Sequence, residues 1–461
     1  MSSSADDAFP IEDFPNLSVE FHGALSFGFA GSGLYERGLE WHYGPRNGKM
    51  KPQPTLWIVA ERPVRLPNAL IAARVLHDNF PGGCHLVRNE SAAWDRVYWP
   101  RYANYFDCVH AFPQVKTCRA LFDLPRFYRE TRARKARFNN LPIDPESDVL
   151  LCIAGVMGLS NVAATAHPGV YKILSISKSS YERLTRAPDK ADFRLTTSGW
   201  LQNRVVEPMA GVERTLNLKS RSILSGDGAR LVRLQKDPAD IFDVIMLASI
   251  NGRDLPATAN DRLLAARYPT LAELPKFLAP TVPDRSKRVV FFGTPFLHVR
   301  NLAPEIYVER LNACLDYIRL QYPGRDLIYR PHPFESGESN QLNLDRFQIE
   351  NDLVPAELYL LEQFAEIEAV YSVSSTVSRR ALTYGLNAYS FWRCFPFSKA
   401  AAEFFATLMG DVPPEFEIND LTQPPVGYQS SRVFDPPSRS FGEGVKAAVS
   451  LRAASSPRLS G

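Results

Sequence analysis

Asp326–Ser336, DLIYRPHPFES, and Ala369–Phe391, AVYSVSSTVSRRALTYGLNAYSF, are the two stretches from which the fold can be read. Each starts as a short apolar run, the pattern of a buried strand, and passes into a polar turn. The first turn presents Arg330, His332 and Pro333. The second presents Ser372, Ser374, Ser375 and Thr376 just before a helical pattern. An imidazole beside a hydroxyl-lined helix N-terminus suits a phosphate that must depart carrying extra negative charge. The pair of turns therefore favours a transferase that uses a nucleotide-activated donor.

Around these turns the chain alternates strands and helices. RVVFFGTPF, from Arg288, reads as a strand entering a loop, with Gly293 and Thr294 at its end on the donor side. APEIYVERLNACLDYIRLQYP follows as a long helix, and NAYSFW is a closing strand. Upstream, TLWIVAERP, CHLVRN, YFDCVHAF, SDVLLCIAGV, VYKILSI and RSILSGDG read as strands. LPNALIAARVLHD, LPRFYRETRARKARF and DRLLAARYPTLAEL read as helices. Apolar strands separated by helices predict mostly parallel sheets covered on both faces. A proline-rich linker from Pro275 to Arg288 divides two such α/β domains. The expected layout is an N-terminal extension over 1–52, a first Rossmann-like domain over 53–280, a second over 285–420, and a Pro/Ser-rich tail over 421–461. GEGVKAAVSLRAA in that tail is expected to form one short helix crossing back onto the first domain. Ligands of α/β domains bind at the carboxyl ends of the strands, so the site is expected in a cleft between the two.

Composition narrows the class. At 461 residues the chain exceeds what one core usually serves, and 22% charged residues suit a folded globular protein. No apolar run approaches the length of a membrane span, and the first residues lack the pattern of a signal peptide. The cytoplasm is the expected compartment. A net charge of +3 is too small to point to nucleic acid. RFYRETRARKARF, Arg126–Phe138, nonetheless carries six cations against one glutamate. It reads as a solvated surface helix, with peripheral contact to an anionic membrane or an acidic glycan through residues 126–138 as the functional alternative. The cysteines are scattered without a metal-ligand spacing, so reduced thiols and no structural zinc are expected; Cys152, in VLLCIAG, reads as a core residue.

His332 is the strongest single candidate for chemistry. Pro331 and Pro333 flank it, and Pro333 restricts it to extended backbone, so the imidazole has a fixed direction. A structural turn histidine is the alternative. His167 in AATAHPG serves as an internal control, since no hydroxyl-rich turn follows it. Of Ser374, Ser375 and Thr376, one is needed as helix N-cap and two remain for a ligand. In the first domain, Asp227 lies between Gly226 and Gly228. Glycines on both sides let a large substrate approach a carboxylate that could take a proton from an acceptor hydroxyl; an ordinary surface turn is the alternative. Gly158, Ser160 and Asn161, after the strand VLLCI, could hold the donor sugar or the acceptor.

YRPHP at 329–333, VSST at 373–376 and SGDG at 225–228 together resemble the motif set of the bacterial lipooligosaccharide sialyltransferases and capsule polysialyltransferases. The resemblance implies a GT-B fold, two Rossmann-like domains facing a central cleft. It also implies inverting, metal-independent transfer of an acidic sugar from a CMP donor to a glycan hydroxyl, with no further cofactor. His332 and Pro333 correspond to the family's His-Pro motif, in which the histidine assists the leaving CMP. Ser374 and Ser375, or Ser375 and Thr376, correspond to its phosphate-binding pair. Asp227 and Gly228 match part of the acidic motif that holds the base, but Gly226 stands where the family has another acid. CMP-sialic acid is the favoured donor and CMP-Kdo the variant. The competing expectations are a CDP-glycerol polymerase-like transferase and a non-enzymatic glycan- or membrane-binding protein.

Overall fold

The computed structural model describes residues 53–61, 65–90, 102–113, 115, 121–153, 159–178, 181, 205–206, 209–212, 238–250, 252, 255, 262–274, 288–294, 302–332, 335, 341–351, 354–397, 399, 402, 405–406, 409–427 and 439–455. The first domain contains strands β1 (Leu56–Ala60), β2 (Cys84–Asn89), β3 (Cys108–Phe112), β4 (Val149–Ile153), β5 (Tyr171–Ser177), β6 (Val244–Ser249) and β7 (Leu263–Arg267). Helices α1 (Leu66–Leu76), α2 (Leu124–Asn139) and α3 (Leu159–Ala166) lie between them. All seven strands are parallel, in the order β3-β2-β1-β4-β5-β6-β7. The second domain contains β8 (Arg288–Phe292), α4 (Pro304–Gln321), β9 (Asp326–Arg330), β10 (Phe347–Ile349), α5 (Ala356–Glu362), β11 (Ile367–Ser372), α6 (Thr376–Thr383) and β12 (Asn387–Ser390). Its five strands are also parallel, in the order β10-β9-β8-β11-β12. Two Rossmann-like sheets in one chain make this the GT-B architecture.

The sheet order follows from which strands can be buried on both faces. Every residue of LWIVA in β1 and VIMLAS in β6 is buried, as central parallel strands require, whereas the edge strand β3 is half-buried along most of its length. Asp148 fastens the amino ends of β1 and β4, accepting from Thr55 N at 2.8 Å and from Trp57 Nε1 at 2.9 Å. One face of the first sheet carries its own apolar cluster with α2 and α3, built on Trp57, Phe112, Phe138 and Leu174. The other face shares a continuous cluster with the second domain.

DRLLAARYPTLAEL departs from the helix its sequence suggests. Leu263–Arg267 is instead β7, paired along β6 from Ile245↔Leu263 to Ser249↔Arg267. A few leucines and alanines contribute little helix propensity, while a row of unpaired backbone groups on β6 rewards strand formation. Pro269 then blocks continuation, and only a 3-10 turn, Leu271–Glu273, forms under a Thr270–Glu273 capping box.

The last helix, α7 (Phe441–Ser455), packs on α1 and on β5–β7 of the first domain. Ser440 and Glu443 cap it reciprocally, with Ser440 N donating to Glu443 at 2.8 Å and Glu443 N to Ser440 Oγ at 3.1 Å. Gly444 permits the close approach, since a β-carbon there would lie 2.8 Å from Ala266 Cβ and from Met246 Sδ. The domains also meet through residues that follow β6 and β7. Ile250 N donates to Asp411 at 3.1 Å, Arg379 pairs with Asp411, and Arg380 lies over the Tyr268 ring at 5.0 Å.

Candidate functional site

In the second sheet the chain runs outward from β8 to β9 and β10, then returns to the other side of β8 as β11 and β12. The order reverses between β8 and β11, and such switch points open a crevice at the carboxyl ends of the strands. His332 follows β9 and Gly293 follows β8. The serine turn follows β11 and leads into α6. With parallel strands about 4.8 Å apart, β9 and β11 are separated by roughly 10 Å, a gap that one phosphate with hydrogen bonds on both sides can span.

The serines divide by role. Ser372 is buried, shares a 2.7 Å hydrogen bond with Ser378 Oγ and accepts from Ser375 N at 3.1 Å, so it holds the turn together. Ser375 is the N-cap of α6, its Oγ accepting from Val377 N at 3.2 Å. That leaves Ser374 and Thr376. Ser374 is buried with no hydrogen-bond partner among the described residues, and Thr376 is exposed at the first helical position. Val377 N and Ser378 N are taken up by Ser375, so of the first amides of α6 it is Thr376 N that opens beside both hydroxyls.

Burial pushes the His332 imidazole down to about 4. At neutral pH it is therefore uncharged, with one N–H to donate, rather than the doubly donating cation. An arriving phosphate would favour the charged form and draw a proton onto the ring. Arg330, expected in the same turn, is drawn back into the domain. Its guanidinium stacks on Tyr359 at 3.8 Å, donates to Val354 O at 2.9 Å and faces Glu350 at 3.7 Å. Thr294 is also engaged, its hydroxyl 3.4 Å from Tyr307 Oη and its carbonyl accepting from that phenol at 3.1 Å.

Glu335 is a member of the site that the sequence reading passed over. Its backbone N–H donates to His332 O at 2.8 Å, which folds the chain back, and its carboxylate accepts from Tyr329 Oη at 2.8 Å. The carboxylate covers Gly293 so closely that a β-carbon there would lie 2.2 Å from Oε1. The available signal was an acid three residues beyond His332, within reach of a single turn. A carboxylate over β8 repels a phosphate there, which leaves the α6 side as the better anion seat.

The first-domain candidates are less fully placed. Asp227 and Gly158 lie outside the described residues, as do Pro333 and the side chain of Asn161. Ser160 stands near the start of α3 and is fully buried, its Oγ without a partner among the described residues. Arg379 and Arg380, past the first turn of α6, pair toward Asp411 and Tyr268 and take no part in the anion seat.

The basic helix α2 is not a uniformly solvated face. Phe127, Thr131, Arg134 and Phe138 are buried. Arg134 donates to Pro113 O, and burial lowers it to about 10. Lys135 donates to Gly211 O, Arg137 lies over the Phe112 ring at 4.9 Å, and Arg126 pairs with Asp123 at 3.2 Å. Arg129 and Arg132 remain exposed, as do Leu121 and Phe122 in the 3-10 turn before the helix, at 54% and 84%. No helix among the described residues is long and apolar enough to cross a membrane.

No family model and no curated protein matches this chain. Among solved structures it is similar to the UDP-GlcNAc 2-epimerase of Methanocaldococcus jannaschii, at 10% identity and a TM-score of 0.49 over 87% of this chain and 99% of that one. It is similar to the UDP-GlcNAc 2-epimerase of Neisseria meningitidis bound to UDP-GlcNAc, at 10% identity and a TM-score of 0.42 over 87% and 100%. MurG of Acinetobacter baumannii aligns at 9% identity and a TM-score of 0.33 over 88% and 96%. At these scores the likenesses say nothing of substrate, and the fold rests on the two sheets themselves.

Proposed function

We propose that this chain is an inverting glycosyltransferase that moves an acidic sugar from a CMP donor to a glycan hydroxyl, with sialic acid favoured over Kdo. The observation that carries the reading is the switch point of the second sheet. There a neutral, half-buried His332 on one side faces an α6 N-terminus with two uncommitted hydroxyls, Ser374 and Thr376, on the other. Such a seat suits the phosphate of a leaving nucleotide. As the bond between the sugar carbon and the phosphate oxygen breaks, its electron pair passes to that oxygen. The His332 N–H, the Thr376 amide and the two hydroxyls meet the charge as it forms. Asp227, carried over from the motif resemblance, would take the acceptor's proton as the hydroxyl attacks. The transfer step needs no metal in this scheme. The acceptor would be met in the cytoplasm, and any contact with the inner face of a membrane would fall to Leu121, Phe122, Arg129 and Arg132.

Calorimetry with CMP, CDP and UDP, followed by product analysis with donors linked to each, tests the proposal. CMP should bind, and a CMP-linked acidic sugar should be turned over. Asp227→Asn should keep CMP affinity while losing most transfer. Turnover of CDP-glycerol or of a UDP-sugar with no affinity for CMP would replace this reading with another nucleotide-donor enzyme.

A further inference from the structure

His85 on β2 meets Cys108 and His110 on β3 on one face of the first sheet, distant from them in sequence but adjacent through the pairing of the two strands. The register sets His85 opposite Cys108 and Val87 opposite His110. Residues two apart on a strand share a face, so Cys108 and His110 both point the way His85 does. Their ligand atoms all lie within 4.8 Å of one another. His85 Nδ1 and His110 Nε2 are 3.4 Å apart. Zinc held by imidazole nitrogens at about 2.05 Å in a tetrahedron would set those nitrogens about 3.3–3.4 Å apart. The separation is long for a strong hydrogen bond and close to the edge of that tetrahedron.

We propose that His85, Cys108 and His110 form a three-ligand site for a thiophilic transition-metal ion of the Zn²⁺ class. Imidazole with one thiolate is the donor set such ions prefer, and the three residues, each only half-buried, leave a fourth position open to water. The Trp57 indole packs on the two imidazoles, with ring centroids 4.5 Å and 5.1 Å away, and fixes their orientation. The thiolate of Cys108 offsets one of the two charges of the ion. Because the group sits toward the amino ends of β2 and β3, it lies away from the carboxyl ends where α/β ligands bind. Its effect is to pin β3, at the edge of the sheet formed by the described strands, to β2. The site is independent of the transfer reading and stands against the expectation of no structural zinc.

The full-length protein, stripped with a chelator and dialysed, is titrated with Zn²⁺ against a chromophoric competitor. One Zn²⁺ per chain should bind. Cys108→Ser, His85→Gln and His110→Gln should each weaken binding by roughly a hundred-fold or more, while His77→Gln at an exposed position should not. Co²⁺ in place of Zn²⁺ should give a thiolate-to-metal charge-transfer band that Cys108→Ser abolishes. Should a variant fail to fold, the wild-type protein still decides: Zn²⁺ should shield Cys108 from alkylation, read by mass spectrometry. Absence of the charge-transfer band, Zn²⁺ affinity unchanged in folded Cys108→Ser, or no shielding would overturn the site and leave an imidazole–imidazole hydrogen bond.

Discussion

The chain contains His-Pro at 167–168 and at 332–333, and the two histidines lie at opposite ends of their strands. His167 follows α3 and precedes β5, where its Nε2–H donates to Phe138 O at 2.8 Å and ties two helices together. His332 follows β9 at the carboxyl end, where ligands of parallel sheets gather. Burial lowers the pKa of both rings, so desolvation does not distinguish them. Position in the βα cycle does. A His-Pro pair gains significance only from the end of the strand on which it falls.

The largest expected contrast is in catalysis. His332→Ala should lower transfer roughly 10²–10³-fold by removing a donor aimed at the developing phosphate charge. His167→Ala should leave transfer rates intact but cost about 1–2 kcal/mol in denaturant unfolding, because a partly buried carbonyl loses its partner. Near-normal transfer and CMP affinity in His332→Ala would erase the distinction between the two histidines.

Acid sensitivity sharpens it. The unfolded chain takes up a proton near pH 6.5, whereas folded His332 resists until about 4. Stability therefore falls as pH drops through that window and is unaffected by this residue above it. His332→Gln should recover about 2 kcal/mol at pH 5 relative to pH 7, measured by urea unfolding at both values. Identical pH profiles for the variant and the parent would show that the ring is not desolvated.

Neighbouring serines should separate in the same way. Ser375→Ala removes the N-cap of α6 and should cost about 1 kcal/mol of stability. Ser374→Ala removes a hydroxyl without a partner among the described residues, so stability should hold while CMP affinity falls roughly tenfold. The reverse pattern would move the phosphate ligand one residue along. The smallest effect is expected at α2. Phe122→Ser with Arg129→Gln should weaken binding to anionic vesicles a few-fold at low salt, and Arg134→Gln should instead lower stability.

Most of the strands were legible because parallel strands buried on both faces are written as short apolar runs. CHLVRN coincides with β2 residue for residue, while β9 runs on through Arg330, a residue expected in the turn. β7 was not, because LLAAR carries helix-forming residues and becomes a strand only through its pairing with β6. In the candidate site, His332 and the hydroxyl turn could be read from local sequence. The division of labour among Ser372, Ser374 and Ser375 depends on bonds across the turn to Ser378 and Val377. The withdrawal of Arg330 depends on Tyr359 and Val354, which come from a different part of the chain. The His85, Cys108 and His110 group exists only through strand register, which no local pattern records.

The return of α7 to the first domain constrains the order in which the chain can fold. Phe441, Val445 and Ala448 fill the face of β5–β7 that would otherwise be open to water. Those residues leave the ribosome only after the whole second sheet has been made. During synthesis the earlier domain must therefore wait with a hydrophobic flank exposed, while the later one can already close. Its final step is a long-range contact such as Tyr171 Oη donating to Ala448 O at 2.9 Å. A released chain ending before residue 440 would hold a finished second half beside an unsealed first half, the species most prone to aggregate and to recruit a chaperone.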